Sequence, residues 1–532
     1  MPWNNGVGII KPWLRASSGR LLLFTLSLQA LLSACSFNEN DPPPVDVQQL
    51  QTQDTTPKWL EGVYAPSETF ANYCESPREG EQHRDQPGSA MHEKLWLRSM
   101  SHELYLWSDL LEDINPESYG VGEYFDLLQV PGDRFHWSQE TVTYQQGSHS
   151  GVFFGYGITW DVVEEPHSIG VQRVAEAAGL GAQVKRGDLL LAVDGIPLFD
   201  DSEAGGAIPD SVWDAFYPEA LGETHVFSFR DRDSGAAKDV VLEAKDIAEK
   251  SVPVQRVLET GTGNVGYVQF DRHNAVAQAE LLEAFTELES ANVNDLVLDM
   301  RYNGGGFISV ASELAYMIAG PGRTADQVFT QLQYNDKLDN KNPFTGREEE
   351  PFWFEPRNSL GQNLPNLGLD RVYVLTSRQT CSASELVMNG LAGVGVEVIQ
   401  IGGATCGKPY GYYPLDNCGT TYFTIMSKQV NAKGYGDYDN GFSASEFNYE
   451  ADDVFQGCDV ADDFTRDLGD PNEAMFSAAL IFREQGICPQ TETTRVETRL
   501  RSDIRLYQKL QQPGRPAPLL PFRTNQESRL SF

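Results

Sequence analysis

The sequence predicts a mixed α/β protein: a large α/β core, a middle domain and a small N-terminal helical region. Three observations predict it. In the second half of the chain, strand-like apolar runs alternate with helical patterns: Val265–Phe270, helix Ala275–Ser290, strand Asp295–Arg301, helix Ile308–Ile318, Val372–Leu375, Glu385–Ala392 and Val396–Ile401. Upstream, residues 90–130 space Leu95, Trp96, Leu104, Leu106, Trp107, Leu110 and Leu111 among polar residues in a helical pattern. At 532 residues the chain is long enough for two or three domains.

The first 35 residues read as a targeting segment. Lys11, Arg15 and Arg20 precede the apolar run Leu21–Leu32, which meets Ser33-Ala34-Cys35. That run is shorter than the roughly 20 apolar residues a membrane span needs. Leu32-Ser33-Ala34-Cys35 resembles a bacterial lipobox, which implies lipidation of Cys35 and a membrane-anchored, exported protein. Ser36, where an aspartate is absent, resembles lipoproteins sorted to the outer membrane, so a periplasm-facing or outer-membrane location is expected. Residues 36–89, with Pro42-Pro43-Pro44, read as a tether and N-terminal segment. At the other end, residues 491–532 form a basic tail, expected to be helical to about Leu510 and ending in Leu530-Ser531-Phe532.

The net charge of −36 argues against nucleic acid and against adhesion to anionic lipid, both of which need basic surface. Acid crowds residues 437–470, and Asp437-x-Asp439-Asn440-Gly441 is out of register for a calcium loop, so a solvated acidic loop is expected. Six cysteines besides Cys35 allow up to three bridges in an oxidising compartment. A Cys406–Cys418 bridge would stiffen the loop between them, and Cys458–Cys488 is a second candidate; other pairings stay open. With no Cys-x-x-Cys pair and no histidine beyond His273, neither a zinc site nor any cofactor is expected.

Ser382 follows the strand-like run ending at Leu375 and opens the helical pattern from Glu385. A hydroxyl there sits at a helix N-terminus, where backbone N–H groups favour developing negative charge. Lys408 lies just past the next strand-like run, so serine and lysine return to the same edge of a sheet. An N-cap serine and a solvated lysine are the bland alternatives. Ser443-Ala444-Ser445-Glu446 repeats the same four letters with no strand before it and no lysine after it, and reads as a loop.

Four further blocks give the chain its resemblance to the C-terminal processing peptidases (tail-specific proteases). Asp299-Met300-Arg301-Tyr302-Asn303-Gly304-Gly305-Gly306 resembles the family's Asp-x-Arg-x-Asn-x-Gly-Gly signature, and Val265–Phe270 its opening strand. Val174–Leu180 and Lys185–Gly195 resemble the second half of a PDZ domain, and Gly155-Tyr156-Gly157-Ile158 its carboxylate-binding loop. The resemblance covers roughly residues 90–490. It implies a helical region at 90–149, a PDZ-like domain at 150–246 and a serine peptidase domain at 247–490.

It also implies roles. Ser382 would be the nucleophile and Lys408, neutralised by apolar surroundings, its general base. The N–H of Ala383 and a backbone N–H in Gly304-Gly305 would form the oxyanion hole. Glu385 would orient the site or cap the helix, and Asp299 and Arg301 would brace the glycine loop. The substrates implied are polypeptides captured through their C-terminal tails, with Phe153, Phe154 and Ile158 lining an apolar pocket. Two departures matter. Tyr412 stands where many members carry glutamine, and Gly147-Ser148-His149 resembles the Ser-His segment of the related tricorn core proteases, which makes His149 the alternative base. The functional rival is an inert PDZ-bearing lipoprotein that binds peptide tails. A penicillin-recognising acyltransferase needs Ser-x-x-Lys, and Glu385 occupies that position.

Overall fold

The computed structural model describes residues 56–80, 82–163, 168–198, 208–446 and 453–489. The targeting segment, Cys35 and the basic tail lie outside the described residues. Within them no helix is long and apolar enough to cross a membrane.

The large core is a seven-stranded sheet. Its strands are β1 (Val254–Thr260), β2 (Gly263–Gln269), β3 (Asp295–Asp299), β4 (Arg371–Thr376), β5 (Glu397–Gly402), β6 (Ser443–Ser445) and β7 (Val454–Cys458), in the order β1-β2-β3-β4-β5-β7-β6. β1 pairs antiparallel with β2; every other pairing is parallel. Helices α1 (Ala277–Ser290), α2 (Ile308–Ala319) and α3 (Ala383–Gly393) cover one face, and α4 (Ala474–Gln485) covers the other.

The strand sequences explain this double cover. In register across the sheet, Tyr267, Val297, Tyr373 and Ile399 form a row that packs on Phe476 of α4. One residue further on, Val268, Leu298 and Val374 point the other way, toward Leu281, Leu314 and Leu386. Strands buried on both sides read as continuous apolar runs rather than alternations. Each such side chain contributes roughly 1.5–3 kcal/mol of burial.

Parallel connections leave three loops at one edge. β3 runs into the glycine loop, β4 into Ser377–Ser382, and β5 into Gly403–Lys408. The carboxyl ends of neighbouring parallel strands are where open α/β sheets place their sites.

The middle domain has a six-stranded sheet (Ile158–Val163, Ser168–Val174, Leu189–Val193, Ile196–Pro197, Thr224–Arg230 and Ala237–Glu243) beside the helix Asp210–Phe216. Ile158–Val163 is its edge strand. Phe154 and Ile158 pack on this domain's core, but Phe153 does not line a pocket with them. Adjacent strand residues face opposite ways, and Phe153 lies under the Arg272 guanidinium at 4.3 Å.

Other sequence expectations need correction. The N-terminal region holds the helix Ala90–Leu104, yet it also supplies a strand, Trp137–Glu140, paired with Thr420–Phe423. Between α2 and β4, the strand Val328–Tyr334 pairs with Ser427–Val430. Ser443-Ala444-Ser445 is a short edge strand rather than a loop. The expected Cys406–Cys418 bridge does not form. Cys406 bonds with Cys381 and Cys418 with Cys74, while Cys458 bonds with Cys488. Cys406 faces back toward the β4 loop, whereas Cys418 lies in the 415–423 hairpin, against the N-terminal segment.

Candidate active site

Ser382 is the N-cap of α3, half-buried, with φ +56° and ψ −115°. A non-glycine residue in that region is strained and is held there by its surroundings. The surroundings are three. Cys381 N–H donates to the Asn303 carbonyl at 3.0 Å, and the Ser384 hydroxyl donates to the same carbonyl at 2.9 Å. Ser382 N–H donates to a Glu385 carboxylate oxygen at 2.9 Å. Cys381 itself is bonded to Cys406.

Glu385 is fully buried and gathers the donors of both loops. Its carboxylate accepts from Ser382 N–H, from Gly407 N–H (2.8 Å), from Lys408 N–H (2.9 Å) and from the Thr405 hydroxyl (2.6 Å). Burial raises its pKa, and these donors pull the other way by favouring the carboxylate. The strand ends carrying Ser382 and Lys408 are therefore joined by one carboxylate and one disulfide. Cys381, Glu385 and Cys406 also form the cluster of potential metal ligands among the described residues, but both sulfurs are committed to the bridge.

Lys408 is only 5 % exposed. Its Nζ lies 4.0 Å from the Tyr412 ring centroid and 5.0 Å from that of Phe135. Desolvation brings its pKa down to about 7, against the smaller upward pull of Asp133 and then Glu385. A lysine in this state carries a substantial neutral fraction at neutral pH and can accept a proton.

The glycine loop lies against the start of α3. A Cβ on Gly305, whose φ is +98°, would fall 2.8 Å from Ala383 N and from the Cys381 carbonyl oxygen. Only glycine permits that approach. Gly305 N–H is committed to Asn303 Oδ1 at 2.9 Å, whereas the N–H groups of Gly304 and Ala383 have no acceptor among the described residues. Asn303 Oδ1 also lies 3.1 Å from Nδ1 of the buried His273. Below the loop, Arg301 is bonded to Asp299 (2.9 Å), Asp462 (2.7 Å) and Glu473 (2.8 Å), and Tyr267 donates to Asp299 at 2.6 Å. Arg301 and Asp299 are each 1 % exposed, out of reach of any substrate.

His149 is exposed in the turn Gln146–Ser150, its ring 6.1 Å from that of Phe307, next to Gly306. Its Nδ1 lies 3.0 Å from the Ser148 hydroxyl, and no hydrogen bond joins it to the Ser382 or Lys408 loops among the described residues. In the middle domain, Gly155-Tyr156-Gly157-Ile158 leads into the edge strand. Tyr156 Oη donates to the Ala215 carbonyl at 2.9 Å, and the Gly157 carbonyl accepts from Ala175 N–H at 2.7 Å.

Sequence reasoning missed Cys381, Asp133, Arg134 and Phe135. A cysteine directly before the serine was a signal for the first. The others lie far upstream and meet the lysine only in the fold.

The chain is similar to known proteins. Residues 264–425 match the model of peptidase family S41. A carboxyl-terminal-processing protease of Picosynechococcus is 27% identical over 299 residues, covering 55% of this chain and 63% of the relative. The chloroplastic carboxyl-terminal-processing peptidase 1 of Arabidopsis thaliana is 24% identical over 241 residues, covering 44% of this chain and 42% of the relative. The chain thus spans less than two thirds of the length of either relative. Among solved structures, an S41 protein of Bacteroides fragilis aligns with a TM-score of 0.55 at 20% identity, over 77% of this chain and 100% of its own, a likeness of fold.

Proposed function

Because the chain belongs to peptidase family S41, the C-terminal processing peptidases, we propose that it is a serine endopeptidase working through a Ser382–Lys408 dyad on exported polypeptides. The observation that carries this reading is Lys408, buried with its proton affinity lowered, on a loop tied to the Ser382 loop through Glu385 and the Cys381–Cys406 bridge.

In the first step Ser382 Oγ forms a bond to the scissile carbonyl carbon while its proton passes to Lys408 Nζ. The oxyanion is held by the N–H groups of Ala383 and Gly304, with Gly305 supplying space rather than a donor. The C–N bond then breaks as Lys408 returns the proton to the leaving amine. Water, deprotonated by Lys408, releases the acyl group. Asp299 and Arg301 keep the glycine loop in place, and Glu385 holds both loops in register.

Substrate capture belongs to the middle domain, which we assign as PDZ-like. Its free edge strand Ile158–Val163 suits strand addition by an extended peptide, with the terminal carboxylate at the Gly155–Ile158 loop. Polypeptides with apolar, unstructured C-termini are the expected substrates. The N-terminal segment would anchor the enzyme through Cys35 in an exported, membrane-attached form. The test compares protein termini in cells carrying the native enzyme and its Ser382→Ala variant. New C-termini that depend on Ser382 support the peptidase; identical termini, with no hydrolysis of an unstructured protein by the purified enzyme, favour an inert tail-binding protein.

A further inference from the structure

Resting on Lys408 as the base, we infer that the turn Asp133-Arg134-Phe135 of the N-terminal region forms a wall of the base's pocket, and that Asp133 and Phe135 are positioning residues for Lys408.

The turn reaches the lysine loop by three contacts. The Arg134 guanidinium donates to the carbonyls of Cys406 (3.1 Å), Gly407 (3.2 Å) and Asp439 (3.2 Å), clamping the backbone just before the lysine. Lys408 Nζ lies over the Phe135 ring, which is 7 % exposed, as it does over the Tyr412 ring. Asp133 is the carboxylate whose charge acts most strongly on Lys408, ahead of Glu385. Its carboxylate is fixed by Phe135 N–H and by Tyr105 Oη, both at 2.8 Å. Tyr105 is fully buried in one apolar cluster with Phe135, Cys381, Cys406 and Ile425, with Trp107, Tyr410 and Tyr412 packed against it.

Phe135 and Tyr412 exclude water, and that desolvation outweighs the attraction of their ring faces for an ammonium; Tyr410, bonded to Asp439, extends that wall. Asp133 and then Glu385 favour the ammonium. Glu385 is already committed to four donors, which leaves Asp133 as the anion that moderates the cost of the protonated intermediate. A lysine base must hold a proton during bond formation and shed it afterwards, so an apolar wall and one off-contact anion are both useful. The N-terminal region supplies both, from residues remote in sequence.

The test uses the rate at which a fluorophosphonate labels Ser382 across pH, which needs no knowledge of the natural substrate. In the intact protein, Asp133→Asn removes the anion while keeping an acceptor for Phe135 N–H. Its acid limb should move to lower pH by about one unit. Phe135→Ala admits water, so its acid limb should move to higher pH, with labelling at pH 7 reduced. Thermal melts identify a variant that fails to fold, and the Asp133→Asn arm stands without the other. Lys408→Met is the control. If it labels at the native rate, the base assignment itself is wrong. If it is inert and the Asp133→Asn limb stays put or moves upward, the wall is structural only and the inference is overturned.

Discussion

Cys381, the residue before Ser382, is disulfide-bonded to Cys406, two residues before Lys408. The bridge closes a loop with a sequence separation of 25 that contains α3 and β5. It ties the two chemistry-bearing loops together directly, where a Cys406–Cys418 bridge would have stiffened only one of them.

The double variant Cys381→Ala/Cys406→Ala should therefore lose about 3 kcal/mol of stability by the loop-entropy estimate. It should also label at Ser382 more slowly while folded, because the lysine loop is freed on one side. Denaturant unfolding followed by fluorophosphonate labelling checks both. An unchanged unfolding midpoint would show the bridge to be redundant.

Glu385→Gln should fold and lose most activity. A glutamine offers one carbonyl oxygen and an NH2 group where four donors now converge, so at least one buried N–H is left unsatisfied at about 1–3 kcal/mol. A shift of about 1 Å in either loop costs on the order of 100-fold in rate. The drop should fall on kcat with KM little changed; a loss confined to KM would place Glu385 in substrate binding instead.

Lys408 also makes a stability prediction whose sign is opposite to its effect on activity. Its folded pKa of about 7 lies below the ordinary value of 10.5. Between these values the unfolded chain binds the extra proton, so stability rises with pH across that window. Below about pH 7 both states are protonated and the full cost of burying the ammonium is present, on the order of 5 kcal/mol. Lys408→Met should thus be inactive yet more stable than the native protein at pH 6, with the difference shrinking toward pH 10.5. Equal or lower stability at pH 6 would mean that the lysine is not held in the desolvated state described.

The core was legible because strands buried on both faces leave unbroken apolar runs, and Val372–Leu375 and Val396–Ile401 are such runs. The placement of Ser382 and Lys408 on neighbouring loops was legible because each loop follows a strand. Asp133 and Phe135 were not, since no local pattern marks a turn that meets Lys408 across the length of the middle domain. The Cys381–Cys406 pairing depends on the register between β4 and β5, which spacing alone does not reveal. The strand Trp137–Glu140 escaped notice because its partner, Thr420–Phe423, lies in another region, and a short polar strand carries little signal of its own.

Lys408, and not His149, is the group expected to activate Ser382. Hydrolysis of an unstructured protein by purified Lys408→Ala and His149→Ala variants, assayed side by side at pH 8, separates the two bases. Lys408→Ala should be inactive with an intact fold, and His149→Ala should retain most of the native rate. Activity in Lys408→Ala together with its loss in His149→Ala would instead make histidine the base.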